Sequence, residues 1–132
     1  MKKINATPLS VSVLLSVVVL LSSCGAAGNK KLVLRHMVAF QFKEEVSENR
    51  REQAVSDFLA LKDLIPEIKK FEGGDQVSAG GLDKGFSHCF ILTFESEEAR
   101  DIYMPHPAHM EVVNKNKPLL NDLLVMEYWG VE

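Results

Sequence analysis

The sequence lacks most of the features that mark the common catalytic and binding classes. It has only two cysteines, Cys24 and Cys89, so a framework of several disulfides is excluded. It contains no phosphate-binding loop, no G-x-S-x-G or H-E-x-x-H pattern and no dinucleotide fingerprint. It also has no stripe of Lys and Arg, and its net charge is −3. Because contacts with phosphates need clustered positive charge, the sequence argues against a nucleic-acid partner.

What remains is the composition of one ordinary globular domain. The chain has 132 residues, of which 46% are hydrophobic and 25% are charged, a mixture typical of a folded protein. No internal repeat or low-complexity run appears beyond residue 31. We therefore expect a single domain over residues 32–132.

The beginning of the chain has the order of a secretory signal. Lys2 and Lys3 are followed by an uncharged apolar run, Leu9 to Leu21, which is too short to span a bilayer because spanning takes ~20 apolar residues. Leu21-Ser22-Ser23-Cys24 then resembles a bacterial lipobox, which predicts cleavage before Cys24 and lipid on its sulfur. We expect residues 1–23 to be a lipoprotein signal peptide. The alternative is an uncleaved anchor or an ordinary signal peptide.

A lipid anchor on Cys24 would hold the domain at a membrane of the bacterial cell envelope, facing the periplasm. A thioether-linked lipid and an N-acyl chain together supply the several hydrocarbon chains that stable attachment requires. Residues 24–31 are small and polar, which predicts a short flexible tether. Cys89 lies in an apolar segment, and this favours a buried small side chain over a reactive thiol.

Four segments beyond the tether have the composition of β-strands. They are rich in β-branched, aromatic and other apolar residues and are bounded by turn-forming residues. These segments are 32–42, 70–79, 86–95 and 123–130, of which 70–79 has the weakest pattern.

Helices are predicted between the first and second strands and between the third and fourth. Ser47 is a suitable cap for a helix that carries an apolar stripe and runs to about Leu64, where Pro66 disfavours its continuation. Ser96 can cap a second helix, which breaks at Pro105 before a further helix opens. The order βαββαβ predicts an α+β, ferredoxin-like subunit.

Both faces of the predicted sheet are apolar. Side chains alternate in direction along a strand, so two sets can be separated by parity. The set expected under the helices comprises His36, Val38, Phe40, Phe42, His88, Phe90, Leu92, Phe94, Leu123 and Val125. The opposite set comprises Met37, Ala39, Cys89, Ile91, Leu124, Met126 and Tyr128. Because helices cover one face only, we expect a second copy of the sheet to cover the other in a homodimer.

Histidines and one tyrosine are the candidates for chemistry. His36 and His88 point to the helix-covered face, where imidazoles can line a cavity and accept protons near neutral pH. His109 lies in the first turn of a predicted helix, where the positive end of the helix dipole keeps the ring neutral and available as a base. Tyr103 could donate a hydrogen bond to a developing enolate oxygen if the chain turns between the two residues.

Each of these residues also has a structural interpretation. A strand histidine is often a core residue, His106 before Pro107 fits a turn or a cap, and Tyr103 could simply pack its ring. His106 and His109 have a spacing that zinc sites use, but no cysteine or clear carboxylate nearby completes a ligand set. We therefore expect no metal.

Several motifs together resemble the stress-responsive α/β-barrel (Dabb) family over about residues 32–130. The resemblance implies a ferredoxin-like subunit that dimerises through its sheets into an α+β barrel. The matching motifs are Arg35 to Lys43, Ile65-Pro66, Ser87-His88, Leu92 to Ser96, and His106-Pro107-Ala108-His109.

The family includes a plant polyketide cyclase that works without a metal or organic cofactor, and the resemblance assigns roles to residues here. Its catalytic tyrosine and histidine match Tyr103 and His109 and its supporting histidine matches His36, while His88 also has a counterpart. The substrate cavity has changed. A pocket tyrosine, a glycine, a phenylalanine and a tryptophan of the cyclase fall on Phe58, Val113, Val112 and Leu120.

The leading hypothesis is an envelope lipoprotein whose dimeric barrel binds a small, largely apolar ligand in each subunit, without a cofactor. If the protein is an enzyme, His109 abstracts a proton beside a carbonyl, Tyr103 stabilises the oxyanion and His36 orients the pair, as in aldol-type chemistry. The alternatives are a non-catalytic stress-response or ligand-binding protein and a heme- or metal-using barrel enzyme. The expected pocket residues are Val38, Phe40, Phe58, His88, Phe90, Val112 and Leu123.

Overall fold

The protein folds as one four-stranded antiparallel sheet with helices on one face. The computed structural model describes residues 30–132, and the predicted signal peptide, Cys24 and most of the tether lie outside them. The strands pair in the order β2-β3-β1-β4, so β1 is central. The strands are β1 (Leu32–Phe42), β2 (Lys70–Asp75), β3 (His88–Phe94) and β4 (Leu120–Val131).

Four α-helices connect the strands. Their order confirms the predicted ferredoxin-like α+β fold. Within residues 30–132, none of the helices combines the length and the apolar character that crossing a bilayer requires. The helices are α1 (Glu48–Leu59), α2 (Leu61–Leu64), α3 (Glu97–Tyr103) and α4 (Pro107–Asn116), and a 3-10 turn (Lys117–Leu119) leads into β4.

The helix ends follow the sequence signals with two differences. Ser96 caps α3 by accepting a hydrogen bond from the Ala99 amide at 3.3 Å, as expected. Ser47 stands at the N-cap of α1, but its side chain makes no capping hydrogen bond. The helix expected to run to Leu64 is divided at Ala60 into α1 and α2.

The strand register separates the two faces of the sheet as the alternation predicts. Val38 of β1 lies opposite Phe90 of β3 and Val125 of β4, and these side chains point toward the helices. On the other face, Met37 lies opposite Ile91 and Met126.

The main core lies between the helices and the β1–β3 half of the sheet. Phe40, Phe58 and Phe90 form an aromatic cluster with ring centroids 5.0–5.1 Å apart. Leu61 and Ile65 are fully buried beside it, so the α1–α2 segment is held by apolar contact with the sheet.

The opposite face of the sheet is open to solvent in the single subunit. Leu124, Met126 and Tyr128 of β4 are 39%, 54% and 51% exposed. Cys89 is exposed on the same face, so the expectation of a buried cysteine is wrong for one subunit, because none of the helices within residues 30–132 packs on this side.

Candidate active site

A cavity of about 300 Å³ lies between α4 and the β1–β4 half of the sheet. Its walls are almost entirely apolar, and most of its few polar groups come from residues near the ends of α3 and α4. The lining residues are His36, Val38, Phe40, Phe58, Tyr103, Met104, His109, Met110, Val112, Val113, Asn116, Lys117, Leu120, Leu123 and Val125.

His109 lies in the first turn of α4 and is 8% exposed. Its Nδ1 is 2.8 Å from the carbonyl oxygen of Met104. A carbonyl only accepts hydrogen bonds, so Nδ1 carries the proton and Nε2 keeps the lone pair. Burial lowers the pKa of His109, and the charges of His36 and His106 act in the same direction. The imidazole is therefore neutral at neutral pH, with burial as the main cause instead of the helix dipole that the sequence suggested.

Tyr103 is the last residue of α3 and is fully buried. Among residues 30–132 its hydroxyl has no hydrogen-bond partner. Burial raises the pKa of Tyr103, so the phenol stays protonated and remains a hydrogen-bond donor. An unpartnered donor beside an apolar cavity is available to an oxygen atom of a ligand.

The turn between α3 and α4 brings Tyr103 and His109 together. The amide of His106 donates to the carbonyl of Tyr103 at 3.0 Å, and the His106 ring caps α4 by accepting from the Ala108 amide at 3.2 Å. Pro107 then occupies the first helical position, where its missing N–H is not needed. As a result, the ring centroids of Tyr103 and His109 lie 4.2 Å apart on the same cavity.

His36 belongs to a polar chain that sequence reasoning missed. Its Nδ1 lies 2.7 Å from a carboxylate oxygen of Glu127, and Glu127 also pairs with Arg100 of α3. Burial acts to raise the pKa of Glu127, but the bonds with His36 and Arg100 outweigh it and lower the pKa. The His36 ring also lies 5.8 Å from the ring of Tyr103. The contacts among His36, Glu127 and Arg100 therefore hold the His36 ring against Tyr103.

The alternation of side-chain direction along β4 could have identified Glu127 as a neighbour of His36. It shares the parity of Leu123 and Val125, so it must face the helices from a strand that pairs with β1. Its register partner is His36. The contribution of Arg100 depends on how α3 packs over the sheet, which no local pattern specifies.

The predicted pocket residues divide into two groups. Five of them line the cavity, namely Val38, Phe40, Phe58, Val112 and Leu123. His88 and Phe90 do not, which corrects their expected position. Both belong to β3, on the side of β1 away from β4, so they lie outside the space under α4.

His88 has structural partners instead of a cavity. Its Nε2 lies 3.1 Å from a carboxylate oxygen of Asp75, and its Nδ1 lies 2.8 Å from the Ser87 hydroxyl. Its ring stacks on Phe90 with an interplanar angle of 7°. Within residues 30–132 no group of three or more His, Cys, Asp or Glu side chains is placed to hold a metal ion.

Comparisons with known proteins agree with this architecture. A sequence profile of the Stress responsive A/B Barrel Domain (Dabb) family matches residues 34–130. The stress-response A/B barrel domain-containing protein HS1 of Arabidopsis thaliana is 36% identical over 95 residues, which cover 72% of this chain and 87% of that protein. Olivetolic acid cyclase of Cannabis sativa is 28% identical over 97 residues, which cover 74% of this chain and 96% of the cyclase.

Solved structures share the fold. The hydroxynitrile lyase of Passiflora edulis superposes with a TM-score of 0.68 at 24% identity, covering 74% of this chain and 93% of the lyase. A dimeric ferredoxin-like protein from Thermobifida fusca superposes with a TM-score of 0.63 at 21% identity, covering 74% of this chain and 91% of that chain.

The lowered pKa of His109 predicts how stability depends on pH. As pH falls through about 6.5, the unfolded chain takes up a proton at His109 before the folded protein does. The stability contributed by neutral His109 is therefore present above this pH and lost below it. Urea titrations at a series of pH values should show a smaller acid-side loss of unfolding free energy in His109→Gln than in wild type. Equal losses would contradict the assigned burial effect.

Proposed function

Since the chain belongs to the stress-responsive A/B barrel (Dabb) family, we propose that its cavity binds a small, largely apolar carbonyl compound and removes a proton beside the carbonyl. The observation that carries this proposal is a buried imidazole beside a phenol whose hydroxyl has no hydrogen-bond partner within residues 30–132. Their ring centroids lie 4.2 Å apart on an apolar cavity. A mostly apolar cavity with a few convergent polar groups is the usual form of a small-molecule site.

His109 is the base in this proposal. Its Nδ1 donates to the Met104 carbonyl, so Nε2 carries the lone pair that accepts a proton from the carbon next to the substrate carbonyl. The hydrogen bond to Met104 orients the ring and stabilises the imidazolium that forms. Because burial lowers the pKa of His109, the ring starts neutral and the proton can be returned later in the reaction.

Tyr103 stabilises the charge that develops. When the C–H bond breaks, its electron pair forms a carbon–carbon double bond and the π pair of the carbonyl moves to its oxygen, which gives an enolate. The Tyr103 hydroxyl donates a hydrogen bond to that oxygen, and the low polarity of the cavity strengthens this contact. The enolate then either takes back a proton from His109 or attacks a second carbonyl, as an aldol-type ring closure requires. His36, held by Glu127, orients Tyr103.

One relative favours this class of chemistry. The curated protein at 28% identity is named a cyclase, and it aligns with this chain over 96% of its own length. The apolar lining around the pair limits the compounds that this chain could accept to those with a large apolar part.

Hydrogen–deuterium exchange tests the proton-abstraction step directly. The methyl ester of a straight-chain β-keto acid is incubated with the protein in deuterated buffer, and loss of its α-hydrogen signal is followed by NMR. Wild type should exchange this position faster than buffer does. His109→Ala should reduce the excess rate by about 10²-fold or more, and Tyr103→Phe by a similar factor.

Two comparisons separate a catalytic role from a structural one. Tyr103→Phe removes a buried hydroxyl without a partner among the described residues, so its unfolding free energy should not fall. His88→Gln changes a histidine that does not line the cavity and should leave exchange unchanged. If wild type does not exceed the buffer rate, the proposed chemistry is excluded and a ligand-binding protein remains.

We also propose that the open sheet face forms the interface of a homodimer. The support is the exposed apolar row of Leu124, Met126 and Tyr128, together with the dimeric state named for related folds. A sheet face of this kind buries its apolar area most simply against a two-fold copy of itself.

Sedimentation tests this assembly. Met126→Lys should place an unpaired charge in the interface, which costs about 3 kcal/mol or more and weakens association by about 10²-fold. The variant should therefore sediment as a monomer at micromolar concentration while wild type is a dimer. Ile102→Lys, at an exposed apolar position on α3, is the matched control and should stay dimeric. A monomeric wild type would contradict the proposal.

The proposed location is the cell envelope, through lipid on Cys24. The support is the lipobox-like Leu21-Ser22-Ser23-Cys24 after an apolar run. In bacteria fed a labelled fatty acid, wild type should be labelled and recovered with membranes. Cys24→Ala should lose both properties, whereas Cys89→Ala, which changes the other cysteine, should keep them. A labelled, membrane-bound Cys24→Ala protein would remove this part of the proposal.

A further inference from the structure

Asn116, at the far end of the cavity from the Tyr103–His109 pair, has a buried polar atom that the fold does not use. It is the last residue of α4, is 4% exposed and lines the cavity. Its Oδ1 atom has no hydrogen-bond partner within the described part of the chain. Buried polar atoms of this kind are uncommon, since each loses its contact with water without compensation.

The direction of the missing hydrogen bond can be assigned. The other side-chain atom, Nδ2, lies 3.4 Å from the carbonyl oxygen of Ala54 in α1. Because a carbonyl can only accept, the amide group of Asn116 must face Ala54, and the oxygen is the atom left over. Because Asn116 lines the cavity, its oxygen is the acceptor that a ligand can reach at this end, and it calls for a ligand group that donates.

Helix geometry sets the separation of the two polar ends. Asn116 follows His109 by seven residues on the same helix, which is close to two full turns. Both side chains therefore project from one face of α4, about 10 Å apart along its axis. The wall between them is apolar and includes Val112.

We infer that Asn116 is a specificity-determining residue that selects ligands with a hydroxyl or another hydrogen-bond donor about 10 Å from the reacting carbonyl. This inference rests on the proposed function, because Tyr103 and His109 hold the carbonyl end. The ligand class is a bipolar compound: a carbonyl at one end, an apolar body, and a donor at the other. A cavity of about 300 Å³ equals about ten water volumes at ~30 Å³ each, which suits a medium-length chain or a small substituted ring.

A pair of matched ketones tests the inference by calorimetry. The first is methyl octyl ketone, and the second carries a hydroxyl in place of the terminal methyl, roughly eight bonds from the carbonyl carbon, a span of ~10 Å. Wild type should bind both with similar affinity, because Asn116 compensates the buried hydroxyl. Asn116→Leu should weaken binding of the hydroxy ketone about tenfold relative to methyl octyl ketone.

A matched variant and a second pair of ketones complete the test. Asn114→Leu makes the same change at an exposed position of α4 outside the cavity and should leave the affinity ratio as in wild type. A hydroxy ketone shortened by three carbons cannot reach Asn116, so wild type itself should bind it about tenfold more weakly than methyl pentyl ketone, its methyl counterpart. This measurement needs no variant and applies even if Asn116→Leu does not fold.

The outcomes distinguish failure of the proposed carbonyl site from failure of the role assigned to Asn116. If wild type binds neither matched ketone, the proposed carbonyl site fails and the role of Asn116 fails with it. If both ketones bind but the Asn116→Leu ratio equals that of wild type, the carbonyl site stands and the selection by Asn116 is wrong. In that second case a trapped water satisfies Oδ1 instead of a ligand.

Discussion

The alternation of side chains along the central strand β1 controls both surfaces of this subunit. Because β1 pairs with β3 on one side and β4 on the other, its residues lie at the middle of each face of the sheet. His36, Val38 and Phe40 point under the helices, and Met37 points to the opposite face. A shift of one residue in register would exchange these sets and would remove both the cavity and the apolar open face.

The two halves of the helix-covered face serve different purposes. Over β1 and β3, the α1–α2 segment packs closely and the aromatic cluster around Phe90 fills the space. Over β1 and β4, α4 leaves a cavity of about 300 Å³. Leu123 and Val125, which line it from β4, are 45% and 47% exposed, so ligands could enter along this edge. The closely packed half can thus support the fold while the other half stays open.

The cavity keeps polar groups that destabilise the empty protein. The Tyr103 hydroxyl and the Asn116 Oδ1 atom are buried without partners in the described chain, and such groups cost about 1–3 kcal/mol each. A ligand that satisfies both would recover this free energy on binding. The same reasoning explains why ligand affinity should depend on where polar groups stand along an otherwise apolar molecule.

Local patterns were sufficient to locate the strands, although β2 ends at Asp75 and not at residue 79 as predicted. They also gave the helix starts at Ser96 and Pro107 and the direction of each strand side chain, because these depend on steric and hydrogen-bonding rules that act over a few residues. For the same reason, the motif around His109 correctly indicated which part of the molecule carries the candidate site. Sheet order and helix packing depend on contacts between distant segments. They decided that His88 and Phe90 lie beside the cavity wall and not on it, that Arg100 reaches Glu127, and that the Asn116 oxygen has no partner among residues 30–132. A short stretch of sequence does not specify which distant segments will pack against it, so only the tertiary structure could determine these contacts.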